Sequence, residues 1–546
     1  MRKLLSCLLA LALLLGGLAA YAEEPVAAND VVILYTNDVH CAIDDSIGYA
    51  GLAAYKKAFE KAGYDVLLAD NGDAVQGGPV GTLSKGEYVI DLMNAVGYDV
   101  ATIGNHEFDY GMDQFMALTE KASFPYVSAN FTDLEGNPVL SPYVILEAGG
   151  RRIAFVGAST PETFTKSTPT YFQNEQGEYI YDFCQGEDGV RLYEAVQKAV
   201  DAAREEGAEF VVVLSHLGID GSSVPYTSSD LSVNTNGIDA VLDGHSHSTI
   251  GQEVVLNKDG EDVLLSSTGT KLEAVGALTI TAAGELSTAL HTESLFQDDE
   301  MTAVVEDVKA QFSDTLSKVV ASSQVDLIIN DPTAVDAEGK PIRIIRNQET
   351  NLGDLCADAY RVVSGADIGI VNGGGVRAQI PAGDITFEQI IKVHPFGNAM
   401  CVIETTGQQI LDALEMSARK LPDENGGFLH VSGLTLTIDV NVPSTVVTDD
   451  KDCFVEVTGE RRVKDVLVNG EPIDPEGTYT LASHNYMLKS GGDGMVMFQG
   501  DKLLQDEVML DNQVLITYIT ETLGGVIGEA YAEPYGEGRI TILSEE

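Results

Sequence analysis

The chain has 546 residues, with 32 basic and 84 acidic side chains and a formal net charge of −52. That length exceeds what one hydrophobic core supports, so two globular units are expected. So acidic a surface repels nucleic-acid phosphates and excludes duplex binding; a pocket for an anionic ligand must make its own positive field, from metals or a few arginines.

Residues 1–22 read as an export signal. Arg2 and Lys3 precede the apolar run "LLSCLLALALLLGGLAA", and "AAYA" offers a cleavage site after Ala22. The expected location is periplasmic, extracellular or cell-wall associated. No later run approaches the roughly 20 apolar residues a membrane span requires, so the mature chain is expected to carry no transmembrane anchor. Removing the signal leaves 30 basic and 84 acidic side chains. It also leaves Cys41, Cys184, Cys356, Cys401 and Cys453, which form no C-x-x-C pair. These are expected to be mostly free, buried thiols.

Short β-branched runs then alternate with helical patterns. "VVILYTND" reads as a strand, "YAGLAAYKKAFEKAG" as a helix, "YDVLLADNGD" as a strand, "YVIDLMNAVG" as a helix and "YDVATIGNHE" as a strand. Further on come "RIAFVGAST", the long helix "GVRLYEAVQKAVDAAREEG", and the strands "EFVVVLSHLG" and "IDAVLDGHSH". The alternation predicts an α/β unit over 23–295 with strands buried between helices. A polar helical run beginning at Asp298–Asp299–Glu300 suits a helix N-terminus and predicts a connecting helix within 296–323. A second unit spans 324–546, with glycine-rich turns in "NGGGVRA" and "KSGGDG".

Polar residues recur where the first unit's strands end: Asp38 and His40, Asp73, Asn105 and His106, His216, and His245 and His247. Ligands in α/β sheets gather beyond the strand carboxyl ends. Asp38 and His40 are two apart, so on an extended segment they would point the same way, as would His245 and His247. Each pair can grip one ion, or two neighbouring ions, and carboxylate and imidazole without thiolate suit divalent metals, with Zn, Mn, Co and Fe not distinguished. A carboxylate such as Asp73 can bridge a pair of ions that activates water against a phosphoryl group. In the second unit, the glycines of "VNGGGVRAQI" allow close backbone approach to a ligand, and Arg377 offers a planar fork to phosphate or carboxylate.

Taken in order, "TNDVH", "NGD", "GNHEFD", "LSHLG" and "GHSH" resemble the calcineurin-like metallophosphoesterases. With the second half, the chain is similar to the 5′-nucleotidase family. The resemblance implies a four-layer αββα metallophosphoesterase sandwich, a linking helix, and a separate α+β substrate-binding domain able to rotate between open and closed states. It implies that Asp38, His40, Asp73 and His247 hold one ion and Asp73, Asn105, His216 and His245 the other. His106 and Asp109 would form the catalytic dyad. Arg346, Asn372, Gly375, Arg377, Phe396, Tyr486 and Asp493 would line the substrate pocket, with Phe396 and Tyr486 sandwiching a nucleobase. His247 stands where relatives often carry Gln or Asn, Cys41 where Gly or Ser is usual, and Gln348 where an arginine is often found.

The implied activity removes the 5′-phosphate from nucleoside monophosphates by in-line attack of a metal-bound hydroxide. The partner is then a small-molecule nucleotide; the oligomeric state is left open. The alternatives are a 2′,3′-cyclic-nucleotide phosphodiesterase with 3′-nucleotidase activity, a UDP-sugar hydrolase, or a catalytically dead nucleotide-binding surface protein.

Overall fold

A computed structural model describes residues 30–544 except 175, 295 and 338. The expected export signal lies outside the described residues. Among them no helix is long and apolar enough to cross a membrane.

Two six-stranded sheets form the first unit. One runs Leu286–His291, Val275–Ile280, Val31–Thr36, Asp65–Asp70, Val100–Thr102, Tyr126–Val127. The other runs Thr249–Leu256, Asp262–Thr268, Ala240–Asp243, Phe210–His216, Arg151–Ser159, Tyr143–Ala148. The four central strands of the second sheet are parallel.

Strand Val31–Thr36 shows why these runs are apolar throughout. Val31, Ile33 and Tyr35 face a core shared with Phe155, Val212 and Leu242 of the other sheet. Val32 and Leu34 face a second core containing Leu52, Leu92 and Met93 from helices Gly48–Ala62 and Glu87–Val96. Both faces are covered, so alternation disappears. Helix Val190–Glu205 covers the outer face of the second sheet through Leu192, Val196 and Val200. The layers are helix, sheet, sheet, helix, as the family resemblance implied.

The helical run expected within 296–323 divides. Helix Asp299–Ala310 starts at Asp298, whose carboxylate accepts from Met301 N at 3.0 Å. Its Met301, Val305 and Val308 sit in the first unit's core. A turn of helix at Ser313–Leu316 follows, and Val319–Ser323 is already a strand of the second unit, paired with Gly383–Thr386.

The second unit is α+β. Its main sheet runs Leu429–Ser432, Ile368–Asn372, Thr478–His484, Met400–Thr406, Lys502–Gln505. Helix Asn351–Ser364 covers one face through Leu352 and Leu355, and helix Gly407–Ala418 the other through Ile410 and Leu414. Cys41, Cys184, Cys356, Cys401 and Cys453 are all unpaired, and all but Cys184 are buried. Burial pushes the Cys41 thiol up to about 12, so it stays a filler beside His40 rather than a reactive thiolate.

Candidate dinuclear metal centre and substrate cleft

The strand ends of both sheets meet at one point. Asp38, His40 and His247 bring ligand atoms together in one group, and Asp73, His216 and His245 in a second, each within 4.8 Å. The groups adjoin. His216 Nε2 lies 3.1 Å from Asp73 Oδ2 and 3.9 Å from Asp38 Oδ1, while His40 Nε2 lies 3.9 Å from Asp73 Oδ2. Asp73 is therefore placed between them.

The backbone that presents these side chains is not extended. Asp38, His40, Asp73, His245 and His247 have φ of 50°, 48°, 60°, 77° and 55°. The same-side argument from two-residue spacing thus fails; left-handed turns aim the ligands instead. Each such residue costs on the order of 1–3 kcal/mol. Hydrogen bonds between loops hold them: Asp38 N to Gly72 O at 3.0 Å, His40 N to Asp73 O at 2.9 Å, and His245 N to the Asp38 carboxylate at 3.0 Å. Gly104 leaves the necessary room, because a Cβ there would collide with Asp73 Oδ1 and His216 Nε2.

The donor set fits cations. His40 Nδ1 bonds to Gln76 O and His216 Nδ1 to Asn71 O, which commits the Nδ1 protons and turns the Nε2 lone pairs to the centre. His216 Nε2 and Asn105 Oδ1 are buried without a hydrogen-bond partner. Asn105 makes no side-chain cap on the following turn His106–Phe108, so its amide oxygen is free to ligate. Burial pushes Asp38 up to about 7. His216 rises to about 10 against its own burial, lifted by Asp73 and Asp38. A buried anionic cluster of this kind calls for positive charge.

His106 Nδ1 and Asp109 Oδ2 are 2.6 Å apart, and His106 N donates to Asp73 Oδ1 at 2.8 Å. Burial opposes protonation of His106, but Asp109 and Asp73 outweigh it and raise its pKa.

Above the centre lies a cleft between the two units. Arg346, Asn372, Gly375, Arg377, Phe396, Tyr486 and Asp493 line it together with Asp73, Asn105, His106, Asp109, His245 and His247. Asp38, His40 and His216 lie buried beneath. The Phe396 ring centroid is 5.6 Å from that of His106 and 5.7 Å from Arg377 Cζ. Desolvation, with Arg343 and Arg377 nearby, presses Arg346 well below the usual arginine value. An arginine stays protonated, so this pressure is an unmet demand for an anion. The hydroxyl that Tyr486 carries donates to Thr165 O of the first unit and accepts from Asp493 N.

Three contributors escape sequence reasoning. Glu107 is buried and accepts from Asp73 N, Ala74 N and Gly104 N, at 2.9, 2.9 and 2.6 Å, tying two ligand loops together. Glu162 Oε2 lies 3.0 Å from His245 Nε2. Arg343 lines the cleft in a forked pair with Glu424. Only Glu107 carried a signal, its place inside "GNHEFD". Glu107→Ala leaves three buried N–H groups unpaired and is expected to cost about 3 kcal/mol. Thermal denaturation should show the first unit melting several degrees earlier; an unchanged melting curve would contradict the tie.

Residues 31–249 match the family model for calcineurin-like phosphoesterase, and residues 329–500 that for the 5′-nucleotidase C-terminal domain. The chain joins these two domains. The phosphoesterase is 27% identical to the trifunctional nucleotide phosphoesterase protein YfkN of Bacillus subtilis (strain 168) over 94% of its own length, and spans 35% of that protein. It is 26% identical to a 5′-nucleotidase of Vibrio cholerae, with 90% of each chain covered. The structure of a 5′-nucleotidase precursor from Thermus thermophilus superposes with a TM-score of 0.77 at 27% identity, over 95% of this phosphoesterase and 100% of that chain. Calcineurin-like phosphoesterases use two divalent metals, and the two ligand groups supply places for both.

Proposed function

We propose that the protein removes the 5′-phosphate from nucleoside monophosphates. What carries the reading is that one cleft, with the metal-ligand groups at and beneath its floor, is lined by a cluster of arginines and two aromatic rings. Asp38, His40, Asp73 and His247 would hold one ion, and Asp73, Asn105, His216 and His245 the other. Ions so held would neutralise charge on the phosphoryl oxygens and activate water for in-line attack.

The chain's own groups do the rest. Arg377 and Arg346 hold the phosphate dianion. His106, with Nδ1 committed to Asp109, presents Nε2 to a phosphoryl oxygen and passes a proton toward the leaving alkoxide. Phe396 and Tyr486 stack on the base, while Asn372 and Asp493 offer polar contacts to the nucleoside. Gly375 keeps the wall low beside Asn372. Residues 1–22 support action outside the cytoplasm.

AMP, 3′-AMP, 2′,3′-cyclic AMP and UDP-glucose compared side by side test the reading. AMP should have the highest kcat/KM, and a result in which it is the poorest of the four sinks the proposal. Phe396→Ala should raise KM for AMP about tenfold, from the roughly 1–3 kcal/mol of one base–ring stack. One observation favours UDP-sugar hydrolysis as the second reading. The cleft continues past His245 to Asp220, Arg343, Lys420 and Glu424, leaving polar space for a group beyond the reacting phosphorus.

A further inference from the structure

The one-turn helix Thr163–Lys166 touches every part of this machinery. At its N-cap, Glu162 sets Oε2 3.0 Å from His245 Nε2. At its C-cap, Ser167, 1% exposed, donates from Oγ to Asp109 Oδ1 at 2.9 Å. Between the caps, Thr165 O accepts the Tyr486 hydroxyl of the other domain, and Lys166 Nζ lies 3.4 Å from Asp493 Oδ1. So short a helix is not held by its own hydrogen bonds. Phe164 anchors it, fully buried with its ring 5.6 Å from Phe172 and 5.2 Å from Phe183.

The C-terminal end of this element makes two polar contacts with a clear consequence. Asp109 gives Oδ2 to His106 and Oδ1 to Ser167, so its carboxylate cannot turn. Removing the serine hydroxyl would free the carboxylate to rotate and loosen the imidazole it orients. Asp493 gives Oδ2 to Asn372 Nδ2 at 2.6 Å and leaves Oδ1 to Lys166. At 3.4 Å the lysine contact is long and exchangeable. A ligand hydroxyl donating to that oxygen must displace or share with the ammonium.

We propose that this helix couples occupancy of the nucleoside side of the cleft to alignment of the dyad. Ser167 and Lys166 are positioning residues, acting through Asp109 and Asp493. The Lys166 half rests on the nucleotide reading above; the Ser167 half concerns the phosphoryl side whatever the leaving group.

The test compares Ser167→Ala, Ser167→Thr, Lys166→Met and the Ala/Met double variant. The substrates are AMP and phenyl phosphate, an ester with no sugar or base. Ser167→Ala should lower kcat about tenfold on both substrates, with bound metal unchanged and KM for AMP within about twofold. Ser167→Thr, which keeps the hydroxyl, should recover most of the loss. With the competing ammonium gone, Lys166→Met should lower KM for AMP about fivefold relative to KM for phenyl phosphate. On AMP, the double variant should depart from the product of the single effects by at least about threefold.

Loss of metal in Ser167→Ala, or no rescue by threonine, would reduce Ser167 to a structural residue and overturn its half. Equal effects of Lys166→Met on both substrates would overturn the lysine half. Strictly multiplicative effects on AMP would overturn the coupling. A wild-type enzyme that hydrolyses phenyl phosphate and not AMP defeats the nucleotide reading and the lysine half with it, while the serine arm is still decided on phenyl phosphate.

Discussion

Asp73→Asn is expected to lower turnover at least about 10³-fold and to leave the protein with no more than one bound ion. Asp73 is the carboxylate lying between both ligand groups, 3.1 Å from His216 Nε2 and 3.9 Å from His40 Nε2. Asparagine keeps the shape and discards the charge. The buried histidines then face each other without the anion that holds His216 up. Metal analysis of the purified variant, with circular dichroism as a check on folding, measures this directly. Two ions per chain, or turnover within tenfold of wild type, would remove Asp73 from the position between the ions.

His106→Ala separates chemistry from metal binding. Turnover should fall by about 10²–10⁴, the usual range for one acid–base group, with both ions retained and KM for AMP little changed. The reason is positional. The one hydrogen bond from His106 to a ligand is its backbone N–H on Asp73, which alanine keeps, while its ring is tied to Asp109 and lies between Phe396 and the edge of His40, without coordinating. Metal lost along with activity would show that the imidazole supports the ions rather than the phosphoryl group. Undiminished turnover would remove it from the mechanism.

Much of the fold was legible because each strand is a compact apolar run closed by a turn. Membership of the two sheets was not. Strand Val275–Ile280 returns to pair with Val31–Thr36, and local pattern carries no record of so distant a partner. Helix Asp299–Ala310 was visible from its acidic start, but its packing against the first core was not, since Met301, Val305 and Val308 look like any amphipathic stripe.

At the site, residue types at strand ends pointed to Asp38, Asp73 and the histidines, and the structure brings them together. The geometric reason given by spacing was wrong, because these positions adopt left-handed backbone that no periodicity announces. Glu162 and Ser167 lay hidden for another reason. Each acts on a side chain far away in sequence, His245 and Asp109, so only the folded chain reveals the contact.

The left-handed turns at the ligand positions have a thermodynamic corollary. Folding the first domain stores conformational strain and like charge in one small volume, and cation binding repays both. Folding and metal affinity are then linked equilibria, with stability rising as the logarithm of free metal concentration. The second domain has no such cluster among its described residues. A chelator titration should therefore move the two halves apart on the temperature axis, with the phosphoesterase half melting earlier and the nucleotidase C-terminal half unmoved.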